Sequence, residues 1–102
     1  MDMPPEFKAM MRNFHQDVFL IYGDEDKAFA SVVQNVTADE APVIRAFLDD
    51  LLSGKYTPAE VEQAWRDSRT ELLVDDGQSA IGCFDLVRQK LNLRFPVSQK
   101  LP

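Results

Sequence analysis

The stretch Phe14-His15-Gln16-Asp17-Val18-Phe19-Leu20-Ile21-Tyr22 is the densest apolar segment of this 102-residue chain and holds its only histidine. Its reading decides the fold class. Val18 to Tyr22 is an unbroken apolar run, too short for a helix and suited to burial on several sides, so a central plug is expected there. Every other apolar segment is spread at helical spacing, and a single extended piece makes no sheet. Gly23 closes the run and Asp24-Glu25-Asp26 opens a helix. His15, Gln16 and Asp17 therefore sit at a junction between amphipathic elements, where they need hydrogen-bond partners if covered.

Upstream, Phe7, Met10, Met11 and Phe14 recur at i, i+3, i+4 and i+7, which predicts an amphipathic helix from Pro5 to Phe14 with Pro4 and Pro5 at its start. Downstream, Asp24 suits the N-cap of a second helix with Ala28, Phe29, Val32, Val33 and Val36 on one face. Thr37-Ala38-Asp39-Glu40 has the form of a capping box. It predicts a third helix that buries Val43, Ile44, Phe47, Leu48, Leu51 and Leu52 and ends at Ser53-Gly54. Pro42 fits its first turn if the helix starts near Asp39. Thr57-Pro58-Ala59-Glu60 repeats the signal, for a helix from Pro58 to about Arg69 with Val61, Ala64 and Trp65 inward.

Thr70 to Gln78 shows no helical period and contains the turn signal Asp75-Asp76-Gly77, with Leu72 to Val74 as a short extended piece. A last helix is predicted from Ser79 or Ala80, burying Ile81, Phe84, Val87 and Leu91, with Gly82 as its weak point and Phe95-Pro96 as its stop. The expected fold is all-α: a compact single-domain bundle of four to five helices over residues 1–102, with 1–4 and 96–102 loose.

A hydrophobic content of 45% with 27% charged residues is that of a folded globular protein. No run approaches the roughly 18 apolar residues of a membrane span, and Met1-Asp2-Met3-Pro4-Pro5-Glu6 lacks the basic start of a signal peptide. A cytoplasmic protein is expected, with no membrane partner. One cysteine and one histidine exclude an internal disulfide and a Cys/His metal set, and no cofactor is expected. Seventeen acidic against eleven basic residues give a net charge of −6. Without a dense Lys/Arg run such a chain disfavours direct nucleic-acid binding and favours a basic protein partner, beside the plainer reading that acidity keeps the protein soluble.

His15 with Asp17 two positions on is the one pairing that suggests acid–base work, and no nucleophile motif or glycine-rich phosphate loop supports it. A structural histidine is the favoured reading. Cys83 reads as a small core residue rather than a nucleophile, and Trp65 as core rather than an interface anchor. Asp24-Glu25-Asp26 and Asp39-Glu40 fall in first turns, where carboxylates stabilise any helix. Asp49-Asp50, late in the third helix, and Asp75-Asp76, in a loop, lack that reason. Asp75-Asp76-Gly77 also lacks the alternating oxygen ligands of a calcium loop, so no metal is expected.

The order of these signals resembles the immunity proteins of bacterial contact-dependent growth inhibition systems, in their small helical group with an N-terminal Phe-His-Gln-Asp segment. The residues that carry the likeness are Phe14-His15-Gln16-Asp17, then Tyr22-Gly23, a helix with Ala28 and Phe29, the cap Thr37 with Asp39 and Glu40, and Leu48-Asp49-Asp50-Leu51-Leu52. Together they span roughly Phe14 to Leu91. The chain departs from the pattern at Val18, where a large aromatic is expected, at Pro42, which interrupts the third helix, and through the loop from Thr70 to Gln78. The resemblance implies an inhibitor without catalysis, which binds the toxic C-terminal domain of its cognate effector. Such domains are commonly nucleases, often acting on transfer RNA, with basic active sites. The resemblance further implies that Phe14, His15, Gln16, Asp17, Tyr22 and Gly23 sustain the fold. The candidate toxin-binding residues are Asp24, Glu25, Asp75 and Asp76, with Asp49 and Asp50 as a second patch. The alternative is a helical adaptor or regulatory domain that binds a peptide or helix in an apolar groove, which an exposed Met10, Met11 and Phe14 face would favour. Oligomeric state is left open.

Overall fold

Helices start where something relieves the free N–H groups of the first turn, and each start here has an identifiable device. The computed structural model describes residues 3–14, 21, 23–68 and 76–96. Helix α1, Pro5–Met11, opens on a proline. Asp24 caps α2, Glu25–Val33, its carboxylate accepting the Lys27 N–H at 2.7 Å. Before α3, Ala41–Leu51, Thr37 and Glu40 make the reciprocal capping bonds at 3.0 and 3.3 Å. They form them in the preceding turn, so the helix proper starts at Ala41 with Pro42 in its first turn. Thr57 and Glu60 complete the capping box of α4, Pro58–Asp67, at 2.8 and 3.2 Å. Asp76 caps α5, Gly77–Arg94, by accepting the Ser79 N–H at 2.8 Å. No strand occurs among the described residues, and the fold is an all-α compact bundle.

α5 is the axis. Gly77 lies against Pro58 and Trp65 against Phe84, with ring centroids 5.0 Å apart, so α4 runs parallel to the first half of α5. The second half is flanked by two helices. Arg94 donates to the carbonyls of Val33 and, at 2.6 Å, Val36, which ties down the C-terminal end of α2. Arg45 of α3 donates to the Asn92 carboxamide at 2.7 Å and to the Phe95 carbonyl, where α5 ends. These contacts make α2 parallel and α3 antiparallel to α5. α1 closes over α2 and α3. Aromatic rings thread the core, from Phe47 to Phe7 (4.6 Å), to Phe84 (6.0 Å), and from Trp65 to Phe14 (5.3 Å) and on to Phe29 (5.1 Å).

Several local expectations are corrected. α1 stops at Met11, short of Phe14. The turn bonds from Asn13 and Phe14 to Met10 and Met11 carbonyls, both 3.1 Å, still deliver Phe14 to the buried face. α5 begins at Gly77 rather than Ser79, because Asp76 is its cap and not a loop residue. Val43, expected inside, is 38% exposed: the buried stripe of α3 is Ala41, Ile44, Leu48 and Leu51, and Val43 lies about 100° round from Ile44. Phe47, Leu52 and Ile81 are only partly buried. The start of the chain is not loose throughout, since Met3 packs on the core and Pro4 is the N-cap of α1. Of the expected plug from Val18 to Tyr22, only Ile21 is described, and it is 62% exposed. The expected extended piece at Leu72 to Val74 and the tail beyond Pro96 lie outside the described residues.

A methyl group on Gly77 would sit 2.3 Å from the Pro58 carbonyl oxygen, a clash with backbone that no rotamer relieves. Gly77→Ala should lower stability by about 1–3 kcal/mol, read as a reduced urea midpoint with an unchanged m-value.

Candidate functional site

The candidate site is the acidic surface that flanks α5. On this helix Arg88 and Lys90 are two positions apart and therefore face different sides. Arg88 pairs with Asp49 of α3 at 3.2 Å and with Asp85 of its own helix at 2.9 Å. Lys90 pairs with Asp26 of α2. The acids of α2 and α3 thus line opposite edges of one exposed helix face.

The residues singled out from the sequence divide into three kinds. Asp24 and Asp76 are N-caps: each places a carboxylate oxygen on a backbone N–H while remaining exposed. Asp49 and Asp50 are not free charges. Asp50 sits 2.6 Å from Lys55 and accepts the Tyr56 hydroxyl at 3.0 Å, and these two bonds hold its carboxyl below the usual carboxylate range. The unfavourable dipole end of α3 is thereby offset, which supplies the structural reason that the sequence withheld. Of the candidate toxin-binding residues that are described, Glu25 alone is exposed and committed to neither a cap nor an ion pair among the described residues. Asp75 lies outside the described residues, as do His15, Gln16, Asp17 and Tyr22. Phe14 is fully buried and Gly23 takes φ 80°.

Sequence reasoning missed Arg88, Lys90 and Asp85. The interhelical partners of Arg88 and Lys90 are 39 and 64 residues away, so nothing local signals them; only the Asp85–Arg88 pair lies at the i,i+3 spacing that a helix makes legible. Cys83 faces the same edge as Glu25. Burial, then the Glu25 charge, raises its thiol above the ordinary range, which keeps it protonated and unreactive near neutrality. Trp65 is 1% exposed and belongs to the core. The Met10, Met11 and Phe14 face is buried as well, so it offers no apolar groove to a peptide. Two shallow hollows carry further carboxylates, one lined by Glu60, Gln63 and Asp67, the other by Glu6, Asn13, Asn35 and Glu40. Among the described residues no group of three or more His, Cys, Asp or Glu side chains could hold a metal ion, and no helix is long and apolar enough to cross a membrane.

The Ser79 backbone N–H holds the Asp76 carboxyl below its ordinary 3.8. A depressed carboxyl contributes stability that is complete above the unfolded value of about 3.9 and is lost as pH falls through the folded value. The thermal midpoint should therefore drop on acidification below about pH 4. Asp76→Asn keeps an acceptor for the Ser79 N–H but cannot titrate, so it should remain folded near neutrality and lose part of that acid sensitivity. Circular dichroism melts across the acid range read both effects, and an unchanged acid slope would exclude the cap as a contributor.

No family model, curated protein or solved structure matches this chain.

Proposed function

We propose that the chain is an immunity protein of a contact-dependent growth inhibition system, which binds and neutralises the toxic C-terminal domain of its cognate effector in the cytoplasm. The resemblance through Phe14-His15-Gln16-Asp17 and the net charge of −6 support the reading. The observation that carries it is the exposed carboxylate ridge at the start of α2. There Asp24 and Glu25 have no cation bound to them among the described residues, beside an Asp26 already paired to Lys90. A nuclease holds phosphates with lysines and arginines, and a preformed negative surface is steered to such a site and competes for it. An inhibitor of this kind needs no reactive group of its own.

Co-expression with the C-terminal domain of the polypeptide encoded immediately upstream tests the reading. The wild-type chain should restore growth and co-purify with that domain. Asp24→Asn combined with Glu25→Lys keeps the N-cap but removes the local charge, and should slow association about tenfold or more at low salt. Failure of the wild-type chain to protect would refute the immunity role. Full protection by the double variant at both low and high salt would remove these two residues from the interface.

A further inference from the structure

Gly82, Leu86, Gln89 and Leu93 recur at i, i+4, i+7 and i+11 along α5, the spacing of one helix face. That face is largely turned outward: Gly82 and Gln89 are exposed and Leu93 is 73% exposed, while Leu86 is half-buried with one side packed against the core. Gly82 is the anomaly in it. Gly23 and Gly54 adopt positive φ, and Gly77 is crowded by Pro58, but a methyl group on Gly82 would meet nothing within 4 Å. Glycine weakens a helix interior relative to alanine, and nothing in the described fold requires it here. The absence of a side chain at an exposed position between helical turns does allow a second backbone to approach closely.

The edges of the face carry charge. Asp26, bound to Lys90, marks one edge together with exposed Asp24 and Glu25; Asp85 and Asp49, sharing the one guanidinium of Arg88, mark the other, so each edge keeps a net negative charge after its own cation is counted. We propose that this face of α5 is a docking surface for a cationic amphipathic helix of a protein partner. The partner's apolar side chains would cover Leu93 and the exposed part of Leu86, its backbone would pass closest over Gly82, and its lysines or arginines would meet the carboxylates of Asp24 and Glu25 and the net negative charge left at the Arg88 edge. Charge complementarity selects this occupant over a second copy, which would bring the same carboxylates together on two chains of net charge −6. The assignment rests on the reading above for the partner's being a basic protein, and its test uses no toxin, so the two can fail separately.

The probe is a synthetic Leu/Lys amphipathic helical peptide, titrated into the full-length labelled chain and followed by amide chemical shifts, with a Leu/Glu peptide of the same length as control. The Leu/Lys peptide should shift Gly82, Leu86, Gln89 and Leu93, and its affinity should fall about tenfold or more as salt is raised from low to molar concentration. Gly82→Leu should weaken binding about tenfold. Gly82→Ala should raise the thermal midpoint by roughly 4 °C, confirming that the fold itself does not need the glycine. The proposal is overturned by no binding, by equal binding of the Leu/Glu peptide, by shifts centred on the Glu60 and Asp67 hollow, by undiminished affinity of Gly82→Leu, or by concentration-dependent shifts at Gly82 without peptide, the mark of a second copy.

Discussion

The contact of Trp65 with Phe84 on one side and Phe14 on the other is what makes the described helices one body. Phe84 also touches Phe7, Phe7 touches Phe47, and Phe14 touches Phe29. Each of the helices α1 to α5 contributes a ring to this path, and Phe14 adds one just beyond the last turn of α1. Aromatic pairs contribute about 0.5–1.5 kcal/mol each beyond their buried area. The inner face of α4 otherwise holds only Val61 and Ala64, so attachment of that helix depends on the indole. Its reach to Phe84 depends in turn on the close approach of Gly77 to Pro58, which sets how near α4 and α5 can lie.

The same packing decides where charge appears. Arg45 and Arg94 both donate to main-chain carbonyls at helix ends, satisfying acceptors left over by α5 and α2. Neither guanidinium forms an ion pair with a carboxylate among the described residues. Two of the eleven basic residues are thus spent on joining helices, and the acids they might have paired with stay exposed. The electronegative surface is partly a by-product of how the helix ends are tied, and its location follows from α2 and α3 flanking the second half of α5.

Most of the fold was legible because its signals are local. Thr57-Pro58-Ala59-Glu60 declares a helix start within four residues, and Gly54, at φ 97°, takes the conformation its position after a leucine run implies. Signals that depend on tertiary neighbours were misread. Val43 belongs to an apolar run but lies off the stripe that α3 buries. Asp76 looked like a turn residue because glycine follows it, yet Gly77 is a helical residue chosen for its contact with Pro58. Less of the candidate site was legible. The acids are visible in the sequence, but the reason for Asp49 and Asp50 lies in the fold, which brings Arg88 to the first and Lys55 and Tyr56 to the second.

Gly77 and Gly82 stand five residues apart on one helix and answer to different physics. At Gly77 the space for a Cβ is filled by backbone; at Gly82 it is empty. Sequence alone treats both as helix-weakening residues, and only the neighbouring atoms separate a glycine required by its own chain from one that is not. A cost with no internal return, set beside an exposed leucine and between acidic edges, directs attention outward from the fold. The internal glycine fixes how α4 and α5 meet, and the external one leaves α5 with a low profile on the side that no helix described here covers.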